Sequence, residues 1–120
     1  MLKNKADLEY YLLDETKCGP EPLFVLIGGA QEHFGCHVDE VFQALVRLVA
    51  AQYLECLEAC KKLKAAISLE ELQEYARTRL AAGEDLQQPP DVGEEYCFAA
   101  TSLGRQQLRP EDRPVPRQES

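Results

Sequence analysis

The chain has 120 residues, 45% of them apolar and 28% charged, a balance that suits one globular domain able to bury a core without metal or disulfide staples. Its formal net charge is −8, and both halves are acidic: residues 1–60 carry four Lys/Arg against ten Asp/Glu, and residues 61–120 carry nine against eleven. Acidity of this kind opposes phosphate-driven association with nucleic acid unless cations gather on one face.

Residues 6–13 place Leu8, Tyr11 and Leu12 at three- and four-residue spacing and predict a short first helix, with Asn4 or Asp7 available to cap it. Lys17-Cys18-Gly19-Pro20 ends that helix. Pro22 suits a first helical turn, and Leu23, Leu26, Ile27, Ala30 and Phe34 follow one face of a second, largely buried helix. A strand over 23–27 leading into a glycine loop is the rival reading. Residues 39–52 predict a third helix, with a stripe of Val41, Phe42, Leu45, Leu48, Val49 and Gln52 opposite Asp39, Glu40, Gln43 and Arg47.

Two readings compete from residue 53 onward: a short strand over 53–58, or a longer helix continuing through Cys56, Cys60, Leu63 and Ile67. Ser68-Leu69-Glu70-Glu71 has the form of a capping box, and Leu69, Leu72, Ala76 and Leu80 then mark one face of a helix over 68–82 that stops at Gly83. Residues 84–93, with Pro89-Pro90 and a closing glycine, read as a loop. The aromatic run at 96–101 predicts a strand, followed by a helical turn or two to Leu108. Residues 110–120 hold three prolines and mixed charges and are expected to form a disordered tail behind a domain spanning 1–109.

Most catalytic and metal chemistries find little support. His33, Cys36 and His37 form the tightest group of ligand types, but zinc sites usually show paired ligands at both ends of a fold, and only one end is visible. The same residues lack a signature for an orienting group or an oxyanion site, so a thiol- or metal-dependent enzyme is the last of three readings. Gly28-Gly29-Ala30 has neither the third spaced glycine of a dinucleotide fingerprint nor the Gly-Lys-Ser/Thr of a phosphate loop, and small residues for close helix packing explain it. Five cysteines, an odd count without repeated pairing, argue for free thiols in a reducing, cytoplasmic compartment. The longest apolar run, residues 23–27, is far too short to cross a bilayer.

Two segments carry a family resemblance. Leu48-Val49-Ala50-Ala51-Gln52-Tyr53-Leu54 closes the third helix, and Tyr96-Cys97-Phe98-Ala99-Ala100-Thr101-Ser102-Leu103-Gly104-Arg105 ends in threonine, two residues, glycine and a basic residue. Over residues 6–109 the pattern resembles winged-helix regulators of the MarR and PadR type. There the third helix recognises DNA, a glycine turn leads into the first wing strand, and the second wing strand ends in such a threonine–glycine–basic motif. Gln52 stands where the family usually has glycine, and about 36 residues separate the two wing strands, so the resemblance implies a remodelled wing.

The expected fold is therefore α+β and mostly helical: a winged helix-turn-helix-like three-helix core with a two-stranded wing that carries a helical insertion, with an all-α bundle as the alternative. The third helix would then face a major groove with Asp39, Glu40, Gln43, Ala44 and Arg47, a poor set for reading bases and phosphates. Candidate partner or nucleic-acid contacts are Gln43, Arg47, Lys61, Lys62, Lys64 and Arg105, and Tyr10, Tyr75 and the 68–82 helix are candidates for an interface. No catalytic, metal or cofactor residue is assigned. A non-enzymatic module acting in regulation or assembly follows, with a protein partner or a second copy in a homodimer favoured over DNA, and no membrane contact.

Overall fold

A computed structural model describes residues 5–114 apart from Cys60 and Val92. Its first half is helical: α1 (Lys5–Glu15), α2 (Leu23–Phe34) and α3 (Val38–Ala50), with a two-residue strand β1 (Glu21–Pro22) before α2. The rival strand at 23–27 does not form. Leu23, Leu26, Ile27, Ala30 and Phe34 are all buried, and only a helix turns residues at that spacing to one side. Gly29 lets α1 approach, because a Cβ there would overlap the Tyr11 hydroxyl. The end of α1 is fixed by fully buried Thr16, whose hydroxyl donates to the Leu12 carbonyl at 2.8 Å and whose own carbonyl accepts from the Ala100 N–H at 3.0 Å.

At the end of α3 the chain leaves helical geometry through a Schellman arrangement. Tyr53 N–H donates to Leu48 O (2.9 Å), Gln52 N–H donates to Val49 O (3.0 Å), and Gln52 takes a left-handed φ of 66°. The longer-helix reading fails at this point. Residues Leu54–Glu58 form β2, Lys62–Lys64 form β3, Leu69–Ala81 form α4, Tyr96–Ala100 form β4 and Ser102–Gln106 form α5. β2 and β4 pair antiparallel from Leu54↔Ala100 to Glu58↔Tyr96, with α4 inserted between them in sequence. The fold is thus α+β and mostly helical, and the all-α alternative is excluded. The paired strands are not alone: β1 adds beside β4 and β3 beside β2, giving one antiparallel sheet in the order β1-β4-β2-β3.

The core lies between the three helices and the inner face of this sheet, centred on Leu12, Leu23, Leu26, Ile27, Phe42, Leu45, Leu54 and Phe98. α4 closes one side. Ser68 accepts from the Glu71 N–H, while the Glu71 carboxylate accepts from the Ser68 N–H, completing the predicted capping box. The predicted inward face of α4 needs one correction: Leu80 is 56% exposed, and the buried stripe is Leu72, Ala76 and Arg79.

Past Leu108 the expected tail starts with structure. Pro110–Asp112 form a 3-10 turn, Tyr10 donates a short hydrogen bond to the Asp112 carboxylate, and Lys17 donates to the Asp112 carbonyl at 2.8 Å. Residues 115–120, the rest of that expectation, lie outside the described residues.

Candidate functional site

The six contact residues expected from the sequence sit on three elements: Gln43 and Arg47 on α3, Lys61, Lys62 and Lys64 on the β2–β3 hairpin, and Arg105 on α5. The exposed side of α3 is narrower than expected, since Ala44 is fully buried; Glu40, Gln43 and Arg47 are exposed and Asp39 half-buried. His37 precedes this helix and caps it, accepting from the Asp39 N–H at 3.1 Å while the Glu40 carboxylate accepts from the His37 N–H. Two carboxylates in the first turn complement the helix dipole.

Three of the five cations are already engaged. Arg47 Nε donates to the Glu9 carboxylate at 2.9 Å, and Arg105 Nη1 donates to the Ala100 carbonyl at 2.7 Å, which makes it a clamp on the end of β4. Lys64 reaches Glu71 at 2.8 Å and Glu58 at 3.5 Å. The hydrogen bond to Glu71 raises the Lys64 pKa, and the same bond lowers that of Glu71. Lys61 and Lys62, by contrast, stand exposed at the hairpin.

Residues weighed for catalysis or metal binding serve packing and capping. The His33 ring lies 5.1 Å from the Tyr11 ring, His37 caps α3, and the buried Cys36 thiol donates to the Ala30 carbonyl at 3.7 Å. Among the described residues no group of three or more His, Cys, Asp or Glu could hold a metal ion. Cys18, Cys36 and Cys56 are free thiols, and burial pushes that of Cys56 up to about 12, so it is no nucleophile near neutrality. Cys97 departs from the all-thiol expectation, being disulfide-bonded. No helix among the described residues is long and apolar enough to cross a membrane.

A cleft of about 660 Å³ opens where α4, the far end of the β2–β4 ladder and the loop before β4 meet. Its wall carries six glutamates, Glu58, Glu70, Glu71, Glu74, Glu94 and Glu95, against two arginines, Arg77 and Arg79. Tyr75 and Tyr96 form an aromatic side, their rings 5.7 Å apart and tilted by 54°. Glu95 accepts from the Tyr75 hydroxyl at 2.6 Å and from the N–H groups of Tyr96 and Phe24. Burial raises its pKa above the ordinary 4.5 despite those three donors. Tyr75, expected as an exposed interface group, is therefore half-buried and bonded, as is Tyr10.

Arg79 organises the loop side. It is 4% exposed, donates through Nε to Glu84 at 2.8 Å and through Nη1 to the Tyr75 hydroxyl at 3.0 Å, and its Nη2 reaches the carbonyls of Asp85 and Gln88. In sequence Arg79 reads as one more surface cation of the basic cluster that begins at Lys61, although it lies seven after Leu72 and three after Ala76 and so falls on the buried stripe. Glu95 and Tyr96 gave no such signal, because only the meeting of α4 with the sheet makes a cleft there. Comparison of the chain with family models, with curated proteins and with solved structures gives no match.

Proposed function

We propose that this protein is a non-enzymatic, winged-helix-like module that acts in regulation or assembly through protein contact. The resemblance is supported by element order, three helices followed by a β2–β4 ladder, and by the Thr101–Arg105 corner. Thr101 accepts from the Gly104 N–H at 2.9 Å and donates to the Gln52 carbonyl at 2.7 Å, so the motif joins the two strands at the end of α3.

One observation favours protein over DNA: the exposed side of α3 offers Asp39 and Glu40 against a single cation, Arg47, which is spent on Glu9. Duplex affinity comes largely from cations that release phosphate counterions, and such a face would repel phosphate instead. The second reading, a DNA-binding regulator, draws on Lys61 and Lys62, exposed on the hairpin.

A fluorescence-anisotropy salt titration against random duplex DNA separates them. The natural protein should bind weakly even at low salt, and Asp39→Lys with Glu40→Lys should raise affinity and steepen the salt slope if the face can reach a duplex. Tight binding by the natural protein, with a steep salt dependence, would overturn the protein-contact reading.

A further inference from the structure

The glutamates of the cleft are unequally answered. Lys64 satisfies Glu58 and Glu71, and Arg77 satisfies Glu74 at 2.6 Å. Arg79 bonds to Glu84, to backbone carbonyls and to the Tyr75 hydroxyl, so its donors are taken, although its charge still acts on Glu95 from a distance. Glu95 has hydrogen-bond donors but no cation bonded to it, and Glu70 and Glu94 make no hydrogen bond or ion pair among the described residues. A concave surface with unanswered carboxylates focuses negative potential into its interior.

The aromatic side adds a preference among cations. One face of the Tyr75 ring already carries the Arg79 guanidinium, 5.5 Å from its centroid, while half-buried Tyr96 also borders the cleft. A planar guanidinium stacks on such a ring and meets a carboxylate through two parallel donors, which the ammonium of lysine cannot do. At about 660 Å³ the space accommodates a short peptide segment rather than a lone ion.

We infer that this cleft is the docking site for an arginine-bearing basic segment of a partner protein, with Glu70, Glu94 and Glu95 facing the guanidinium charge and Tyr96 stacking on it. This inference rests on the protein-contact reading and gives the partner its chemistry. Burial of Glu95 agrees with it, since burial disfavours its charged form and a nearby cation would favour it.

The test is anisotropy of a fluorescein-labelled Arg-Gly repeat peptide titrated with the intact protein at about 50 mM salt, where exposed charges are only partly screened. Saturable binding is expected, and Glu70→Gln with Glu94→Gln should weaken it about fivefold, two modest ion-pair contributions being lost. Those residues have no partners among the described residues, and a thermal melt checks that the fold is kept. Glu15→Gln with Glu32→Gln removes the same charge from exposed positions outside the cleft and should leave binding unchanged.

A Lys-Gly repeat should bind about threefold more weakly, for want of stacking and bidentate pairing. Equal loss in both double variants, equal binding of the two peptides, or no saturable binding would each overturn the assignment. Tighter binding of a peptide spanning residues 109–120 would give the cleft to this chain's own arginines instead, and overturn it as well. Weak DNA binding with no peptide binding sinks only the cleft proposal, whereas tight DNA binding sinks the function reading beneath it.

Discussion

Gln52 and Gly104 occupy the same corner and show opposite fits of residue to backbone. Gln52 holds the left-handed position of the Schellman turn at φ 66°, a conformation in which its Cβ crowds the following carbonyl and which glycine adopts freely. Gln52→Gly should therefore stabilise the protein by about 0.5–1 kcal/mol, after the greater freedom of glycine in the unfolded chain is offset. Gly104 has no room: a Cβ would overlap the Tyr53 carbonyl oxygen, which is backbone and is held by the Thr101 N–H at 3.0 Å. Gly104→Ala should cost about 2 kcal/mol or more, as overpacking against an immobile group does. Urea unfolding of the two variants checks the pair, and a destabilised Gln52→Gly would show that the side chain contributes more than its backbone costs.

Among the elements, α4 depends on a polar residue at a core position. Arg79 lies under the helix with its guanidinium divided between Glu84, Tyr75 and two loop carbonyls, so it ties the 84–91 segment to the helix. Arg79→Ala takes the donor from the Tyr75 hydroxyl and from the Asp85 and Gln88 carbonyls and should cost about 1–3 kcal/mol. Arg79→Lys keeps the charge but not the fork, so it should recover only part of that loss. A lysine variant with the natural unfolding midpoint would show that charge alone, not guanidinium geometry, holds the loop. The loop also supplies Glu94 and Glu95 to the cleft, so the arginine acts on the candidate site by positioning it.

For the molecule as a whole, the carboxylates divide into two classes with opposite pH signatures. Glu71, Glu84 and Asp112 have lowered pKa values, chiefly through hydrogen bonds from Lys64, Arg79 and Tyr10 respectively. Their stabilisation is fully present above the ordinary carboxylate values of 4.5 and 3.8 and is lost as pH falls through the lowered ones. Glu95, raised by burial, behaves in the reverse sense: its favourable contribution is present below 4.5 and is lost as pH rises through the raised value. Urea midpoints should rise slightly as pH falls from the raised Glu95 value toward 4.5, and then fall below about 4.5 as Glu71, Glu84 and Asp112 protonate. Glu95→Gln should abolish the first rise and keep the acid loss. A rise that survives in Glu95→Gln would assign it to another group.

What the sequence determined by itself is what local periodicity and capping chemistry encode. The buried stripes of α2 and α3, the Ser68–Glu71 box, and the pairing of residues 96–100 with residues 54–58 around an inserted helix were all legible there. Tertiary structure decided the rest. Leu54–Glu58 and Lys62–Lys64 also fit a helical spacing, and the turn at Gln52 with the pairing of β2 to β4 and to β3 selects strands instead. The inward turn of Arg79 needed a loop to receive its charge, and burial of Ala44 needed neighbours packed over it. Arg47 looked like a free cation because its carboxylate partner, Glu9, lies 38 residues before it in sequence. A charge's availability depends on which side chains the fold brings within hydrogen-bond reach, and for that reason the acidic cleft, assembled from three separate stretches of chain, could not be read from any one of them.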